Sequence, residues 1–535
     1  MTVPPSSDPG ADRSLVAIAA YGVVVGLVSG LGAWVFRLMI GFVHDLLFLG
    51  RFGLAYDANV HTPPSPWGPW VILVPVAASL GVVFLTERFA PEARGHGVPE
   101  VMDAVYYHHG VIRPSVAGFK ALASALSIGS GGSVGREGPI VQIGAAFGST
   151  LGQVRGLSRA DMRLLVAAGG AAGIAATFDA PIGGVLFAVE LLLIVVSARS
   201  LLVVAAAVVS GVGVSYVLIG SNLAFTVLDL QSVQPIDVDW QEALGLVGLG
   251  ILLGPACTLI IRSLHWVEER SERIFPNPYL RHALGMLVVG LAMYLSLRTL
   301  GVYAIQGVGY ATIVDILQGT LANPLVLLLL GLGKWLATTL TLGTGASGGV
   351  FSPSLFIGAA LGGAMGYALQ GFGVPVDPTL FALGGMAGTM AGTTGATLTA
   401  IAMITEMTGA FGTVVPLLMT AAAAAATREV MSPTSIYTEK LLRRGHWVPH
   451  GLRAGGRDVL RVRDLVGTET NDVLAPPNGP FVDIDEPIYT AIAALDAAAA
   501  VTVVDADVPV ATLTAADIQR ALRERGLVDR PPPAE

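Results

Sequence analysis

The chain has 535 residues, 53% of them hydrophobic and only 13% charged, with a mean hydropathy of +0.69. Soluble domains carry about 25% charged residues, so this deficit makes lipid the solvent and argues against an ordinary soluble enzyme. The net charge of −8 forms no acidic or basic block, which argues against nucleic acid as a partner, and the single Cys257 rules out a disulfide framework or a cysteine metal site within one chain.

Residues 1–14 are polar and lack the basic start of a signal peptide, so they read as a short tail. The apolar run at 15–40 is too long for a signal segment and predicts the first membrane helix. Further runs predict spans at 70–85, 201–218, 243–261, 283–297 and 324–342. Apolar segments with brief polar breaks continue to about residue 445, giving an all-α polytopic membrane domain over 15–445. After Thr427 the composition shifts, and residues 438–535 are rich in Arg, Asp and Glu with no spanning run.

Many of the apolar segments are short and cut by glycine, a pattern that in corresponding positions of two halves points to a transporter binding site. Such a correspondence exists. Gly135-Arg136-Glu137-Gly138-Pro139 precedes Ile143-Gly144-Ala145-Ala146, and Gly349-Val350-Phe351-Ser352-Pro353 precedes Ile357-Gly358-Ala359-Ala360, at an offset of 349 − 135 = 214. Gly169-Gly170-Ala171-Ala172-Gly173 matches Gly384-Gly385-Met386-Ala387-Gly388 at 384 − 169 = 215, and Glu190 matches Glu406 at 406 − 190 = 216. Four blocks in the same order predict two structurally related halves, with an inverted relation as the expected case.

Each half carries a glycine-dense loop, then a motif ending in proline, then an apolar helix. Glycine permits the tight turn, and proline costs nothing at a first helical turn, where its missing N–H would be unpaired. Both motifs therefore read as helix N-termini inside the membrane domain, which present free N–H groups and partial positive charge to anions. Glu137 lies in the first of these N-termini. Its carboxylate can occupy the site as a surrogate anion, and protonation would release it, which makes a gate from one side chain.

Other charged groups carry less. Arg136 supplies field or pairs elsewhere. Lys120 either tunes the anion potential or snorkels from a helix end. Glu190 and Glu406 close equivalent runs and read as structural helix-end groups. His108 and His109 are adjacent, without partners at metal spacing, and read as a loop. No phosphate loop, dinucleotide fingerprint or zinc-protease motif occurs, so no cofactor or metal is expected.

With these residues identified, the chain resembles the CLC family of chloride channels and chloride/proton exchangers over about residues 15–445. The motifs are Gly95-His96-Gly97-Val98-Pro99-Glu100, where the family has Gly-Ser-Gly-Ile-Pro-Glu; Gly135 to Pro139, identical to the family's Gly-Arg-Glu-Gly-Pro; Gly349-Val350-Phe351-Ser352-Pro353; and Tyr437 after the last membrane helix. The resemblance implies that Glu137 is the gating glutamate. It implies that His96, Gly97, Arg136, Gly138, Val350, Phe351 and Tyr437 contribute to anion binding, by backbone amides at Val350, Phe351 and around Arg136 to Gly138, and by a hydroxyl at Tyr437. It also implies an inverted repeat with broken helices, a homodimer, a multi-pass location in the inner (plasma) membrane and cytoplasmic termini.

Two positions depart from the family pattern. His96 stands at the selectivity serine, and either alters anion preference and pH response or points away while a backbone N–H substitutes. Leu191 stands where exchangers often carry an inner proton-relaying glutamate. Leucine cannot relay a proton, which leans the expectation to a channel-like pore, with a proton-coupled chloride/proton antiporter as the alternative. A membrane sensor without transport and an unrelated organic-anion carrier are the competing classes, and the paired N-terminal motifs favour small inorganic anions over both.

The C-terminal part resembles a single CBS motif over 458–525, a small α/β unit, followed by a tail at 526–535. A strand is expected at 501–505, a helix-like run before it, and a second helix opening at 513–517. One such motif where the family usually has two suggests dimerisation, regulation or a degenerate remnant rather than full nucleotide binding.

Overall fold

The structure is a computed structural model that describes residues 13–54, 56–220, 224–225, 238–444, 446 and 448, and in the C-terminal region 462, 465–466, 480–484, 486, 491, 495, 500–505, 508–514, 516–518 and 520. The expected tail at 526–535, residues 1–12 and much of 458–525 lie outside the described residues. The chain divides into a large unit that runs to Gly451 and a small one that carries Leu452–Glu535.

The large unit is helical. Each of the six predicted apolar runs lies within a helical segment: Leu15–Val43, Gly68–Ile72 continuing into Leu73–Arg88, Ala198–Leu218, Trp240–Ile274, Pro278–Leu300 and Pro324–Thr344. Three helices open on an Asx-Pro pair that joins a side-chain cap to a residue needing no N–H. Asn277 Oδ1 accepts the Tyr279 N–H at 2.9 Å, Asn323 Oδ1 the Leu325 N–H at 3.0 Å, and Asp377 Oδ1 the Thr379 N–H at 2.8 Å.

Nine helical segments among the described residues are long and apolar enough to cross a membrane. Their polarity is inside out. In Pro324–Thr344, Leu325, Leu328, Leu329, Leu332 and Leu336 form an exposed stripe at helical spacing, while Lys334, Thr338 and Thr341 are buried. Against this lipid-facing shell, Arg159–Phe178 and Phe351–Gly371 are largely enclosed by protein, and their Gly/Ala-rich sequences are the least apolar of the nine. Ser115–Gly129, with 15 residues, is about 22 Å long and falls short of a bilayer core of about 30 Å. It is one of the broken pieces that the glycine interruptions predicted.

The repeat appears in the packing. Helix Glu137–Arg155 crosses Arg159–Phe178 where a Cβ on Gly144 or Gly169 would stand 2.2 Å from the other residue's carbonyl oxygen. In the second half Phe351–Gly371 crosses Pro378–Thr394 in the same way at Gly358 and Gly385, with 2.2 and 2.1 Å. Only glycine permits this backbone contact. The crossing pairs Gly169 with Gly385, an offset of 385 − 169 = 216, so the 215 alignment of these blocks is one residue short.

The small unit holds a three-stranded sheet in the order Phe481–Asp483, Ala500–Asp505, Val508–Thr514, the first pair parallel and the second antiparallel. Val482, Ala491, Val501, Val503, Leu513 and Ile518 form its core. The strand expected at 501–505 is present. The helix expected to open at 513 does not begin there, because Leu513 and Thr514 end a strand that pairs with Ala500 and Val501. Helix follows instead at residues 516–518, with the Thr514 hydroxyl accepting the Asp517 N–H at 3.3 Å and Asp517 accepting the Thr514 N–H at 3.0 Å. The hydroxyl and amide of Thr514 hold the Asp517 carboxyl below the ordinary aspartate range.

Candidate functional site

The two motif helices, Glu137–Arg155 and Phe351–Gly371, begin side by side in the interior. Their leading residues form an antiparallel bridge: the Gly135 N–H donates to Gly349 O at 2.8 Å and the Gly349 N–H to Gly135 O at 2.7 Å. Glu137 is 2% exposed, and its carboxylate crosses to the other half. Oε1 accepts the Ser352 N–H at 2.7 Å, and Oε2 accepts the Ser352 hydroxyl at 2.9 Å. Having spent its proton on Glu137, Ser352 Oγ accepts from the Tyr310 hydroxyl at 2.8 Å. A buried carboxylate thus rests on the N-terminus of the opposite helix, where partial positive charge and unpaired N–H groups favour an anion.

Sequence reasoning placed the gate in its own N-terminus and missed Ser352 and Tyr310. The available signal was the hydroxyl residue that follows Phe351, one position beyond the repeat equivalent of Glu137.

The third motif closes over this junction. Gly95 bridges Ser347 in parallel, and its N–H donates to Ala346 O at 3.0 Å. Gly97 has φ +82°, and a Cβ on Gly138 would stand 1.9 Å from His96 O, so the Gly95–Gly97 turn lies directly on the start of the Glu137 helix. The His96 side chain is 4% exposed and leaves Nδ1 without a hydrogen-bond partner. Its ring meets that of Tyr437 edge-on, with centroids 6.1 Å apart. Tyr437 is fixed at the start of helix Ile436–Arg443 by a capping box in which Ser435 Oγ accepts the Thr438 N–H at 3.3 Å. Val350 caps the second motif helix, and the Phe351 ring stacks on Phe178 at 5.1 Å. His96, Gly97, Glu137, Gly138, Val350, Phe351 and Tyr437 therefore converge.

The side chain of Arg136 points elsewhere. Its guanidinium lies 5.4 Å from the Tyr310 ring centroid and 6.0 Å from that of Phe178. With Arg37, Asp57, Asn59 and Asp179 it lines a cavity of about 140 Å³, which Tyr310 separates from Glu137. A second cavity, of about 210 Å³, is lined by Glu87, Arg94, Glu268, Lys440 and Arg444. Glu100, the last residue of the Gly95 motif, holds helix Ile436–Arg443 and the residue after it to this mouth, accepting from Lys440 Nζ at 3.0 Å and from Arg444 at 2.8 and 2.9 Å.

Two devices frame the junction symmetrically. Lys120 is fully buried, so it does not snorkel; its Nζ donates to Ala93 O at 2.9 Å and Gly95 O at 2.7 Å. Lys334, at 334 − 120 = 214, is equally buried and donates to Ile305 O at 3.1 Å and Gly307 O at 2.6 Å. Each ammonium pins the glycine turn of its own half, and Lys334 with its turn Gly307-Val308-Gly309 escaped sequence reading. Glu190 accepts from the Leu398 and Thr399 N–H groups and the Thr399 hydroxyl, and Glu406 accepts from the N–H groups of Ile182 and Gly183. The two glutamates cap each other's partner helix, the structural role expected of them. Leu191 is buried next to Glu190. His109 lies in a turn at φ +52° and bonds Arg163.

Comparison with known proteins agrees with this architecture. The family model described as voltage gated chloride channel matches residues 78–429. The H(+)/Cl(-) exchange transporter ClcA of Vibrio vulnificus is 30% identical over 440 residues, covering 80% of this chain and 90% of that protein. A putative chloride channel protein ClcB-like from Ralstonia nicotianae is 34% identical over 388 residues, covering 71% and 86%. Among solved structures, a slow cyanobacterial Cl-/H+ antiporter superposes with TM-score 0.66 at 24% identity over 81% of this chain and 98% of that one. A eukaryotic CLC transporter superposes with TM-score 0.68 at 21% identity over 94% and 98%. By family match, by sequence relatives and by fold, this multi-pass membrane chain belongs to the CLC family.

Proposed function

We propose that this chain transports chloride across the membrane in exchange for protons, and that Glu137 is the group both ions compete for. The observation that carries this reading is the Glu137 carboxylate seated on the N–H and hydroxyl of Ser352. A carboxylate bound there stands in for the transported anion. Protonation removes its charge, weakens both bonds and frees the helix N-terminus for chloride. One side chain then binds a proton when the anion displaces it and loses the proton when it returns.

His96, Gly97, Gly138, Val350, Phe351 and Tyr437 are assigned to the anion path, with Arg136 at the outer cavity and the Lys440 mouth on the cytoplasmic side. We assign the working unit as a homodimer in the inner membrane with cytoplasmic termini, and the small C-terminal unit as a single CBS-like regulatory module. The relatives named as exchange transporters support coupling. Leu191 supports the second reading, a passive channel gated by Glu137.

Reversal potentials of the purified full chain in a bilayer separate the two. At fixed chloride, exchange moves the potential when a pH gradient is imposed, whereas a passive pore leaves it at the chloride value. Glu137→Gln should abolish proton movement, and proton flux unchanged in that variant would remove Glu137 from its assigned role.

A further inference from the structure

The Glu137 carboxylate reports the shape of the anion that its seat accepts. Among the described residues, Ser352 alone reaches across to hydrogen-bond it, with the N–H at 2.7 Å from Oε1 and the hydroxyl at 2.9 Å from Oε2. One residue thus presents two donors to two different oxygens of one planar group. Its repeat equivalent, 352 − 214 = 138, is Gly138, so the first half carries no side-chain donor there. His96, at the position to which the resemblance gives anion selection, is not among these donors, and its ring meets Tyr437 instead. The direction of the Ser352 hydroxyl is set by a neighbour. A serine hydroxyl rotates freely unless its oxygen is engaged. The Tyr310 hydroxyl engages it at 2.8 Å, and with the Ser352 proton on Glu137 the tyrosine is the donor. Tyr310 is itself clamped. Its ring meets Phe225 edge-on at 5.1 Å, and the Arg136 guanidinium lies over it at 5.4 Å. Its helix, Tyr310–Leu317, is tied at both ends: the Ala311 N–H donates to Ala58 O at 2.9 Å, and His61 Nε2 hydrogen-bonds Asp315 Oδ2 at 2.6 Å.

We infer that the Ser352 hydroxyl, held in direction by Tyr310, is the side-chain donor that selects among anions, and that it favours a planar oxyanion of the nitrate type over a spherical halide. This rests on the reading of Glu137 as a stand-in for the transported anion. A nitrate ion presents the same oxygen–centre–oxygen edge as a carboxylate and takes both donors as they stand. A chloride ion offers a single centre, onto which both donors must turn. The Ser352 amide is fixed in its helix, and Tyr310 restrains the hydroxyl. Both ions carry one negative charge, so the partial positive charge of the helix start serves them alike. Selection is a difference between two affinities, and the directed hydroxyl is the part that differs.

The test uses the full chain in liposomes loaded with chloride or with nitrate, with a potassium ionophore carrying the compensating charge. The two efflux rates give a nitrate-to-chloride ratio. Unseating Glu137 raises both rates together and leaves that ratio, as does a purely structural loss, which lowers both. Ser352→Ala should lower the ratio severalfold. Tyr310→Phe keeps the hydroxyl but frees its rotation, and should lower the ratio by less. Should Ser352→Ala not fold, Tyr310→Phe decides, because it leaves Ser352 in place. A ratio unchanged or raised in the deciding variant overturns the inference while the transport reading stands. A ratio that moves with His96→Ser and not with that variant returns selection to position 96, with the same consequence. Wild-type protein that releases neither anion overturns the transport reading and the inference together.

Discussion

The two halves of the membrane domain share a scaffold and differ in their chemistry. Each has a motif helix and a buried lysine pinning a glycine turn, both at an offset of 214, and a backbone-on-backbone glycine crossing. At the motif itself they part. Glu137 in the first half corresponds to Phe351 in the second, since 351 − 137 = 214. The half with a carboxylate at its N-terminus lends it to the half without one, which supplies the Ser352 N–H and hydroxyl. A fully symmetric pair would put two carboxylates at one junction, where like charges repel. The duplicated parts hold the site, and the departures from duplication make it work.

The comparison can be tested in order of expected effect. Lys120→Met and Lys334→Met each leave two buried carbonyls without their donor, at a cost of about 2–5 kcal/mol per variant. Thermal unfolding in detergent should show similar losses, and a large inequality would mean the two lysines are not structural equivalents. Next, Glu190→Ala removes three hydrogen bonds from one helix start and Glu406→Ala two from the other. Each should cost about 1–2 kcal/mol, with Glu190 the larger, in the same unfolding measurement. A larger loss at Glu406 would break the reciprocity.

The smallest effect on stability is expected at Ser352. Ser352→Ala keeps the amide bond to Glu137 and loses the hydroxyl bond, a change of about 1 kcal/mol in favour of an unseated carboxylate. Chloride flux from liposomes near neutral pH should rise severalfold. A fall in flux would show that the hydroxyl serves the anion more than the gate.

Much of this was legible in the chain. Apolar runs gave the lipid-facing spans, because those helices must present hydrocarbon all along one face. Glycine and proline spacing gave the two interior N-termini and the repeat, because only those residues permit tight backbone turns and donor-free starts. The interior helices were harder to read as spans. Arg159–Phe178 and Phe351–Gly371 face protein, so small residues rather than apolar ones serve them, and hydropathy loses its grip. The start of the last helix at 513 was misplaced for a related reason. Thr514 ends a strand and caps a helix at once, and sheet pairing decided which came first.

The sequence by itself determined a membrane-embedded, duplicated helical fold with Glu137 at a helix N-terminus, since composition and local backbone preference suffice for that. Only the tertiary structure decided where the Glu137 carboxylate goes. Its partner Ser352 lies 215 residues away in the chain, and that encounter is set by how the two halves pack, which no local pattern encodes. The same holds for Lys334. Lys334 is an unremarkable polar residue in an apolar run until the fold surrounds it, and then burial obliges it to find the Ile305 and Gly307 carbonyls.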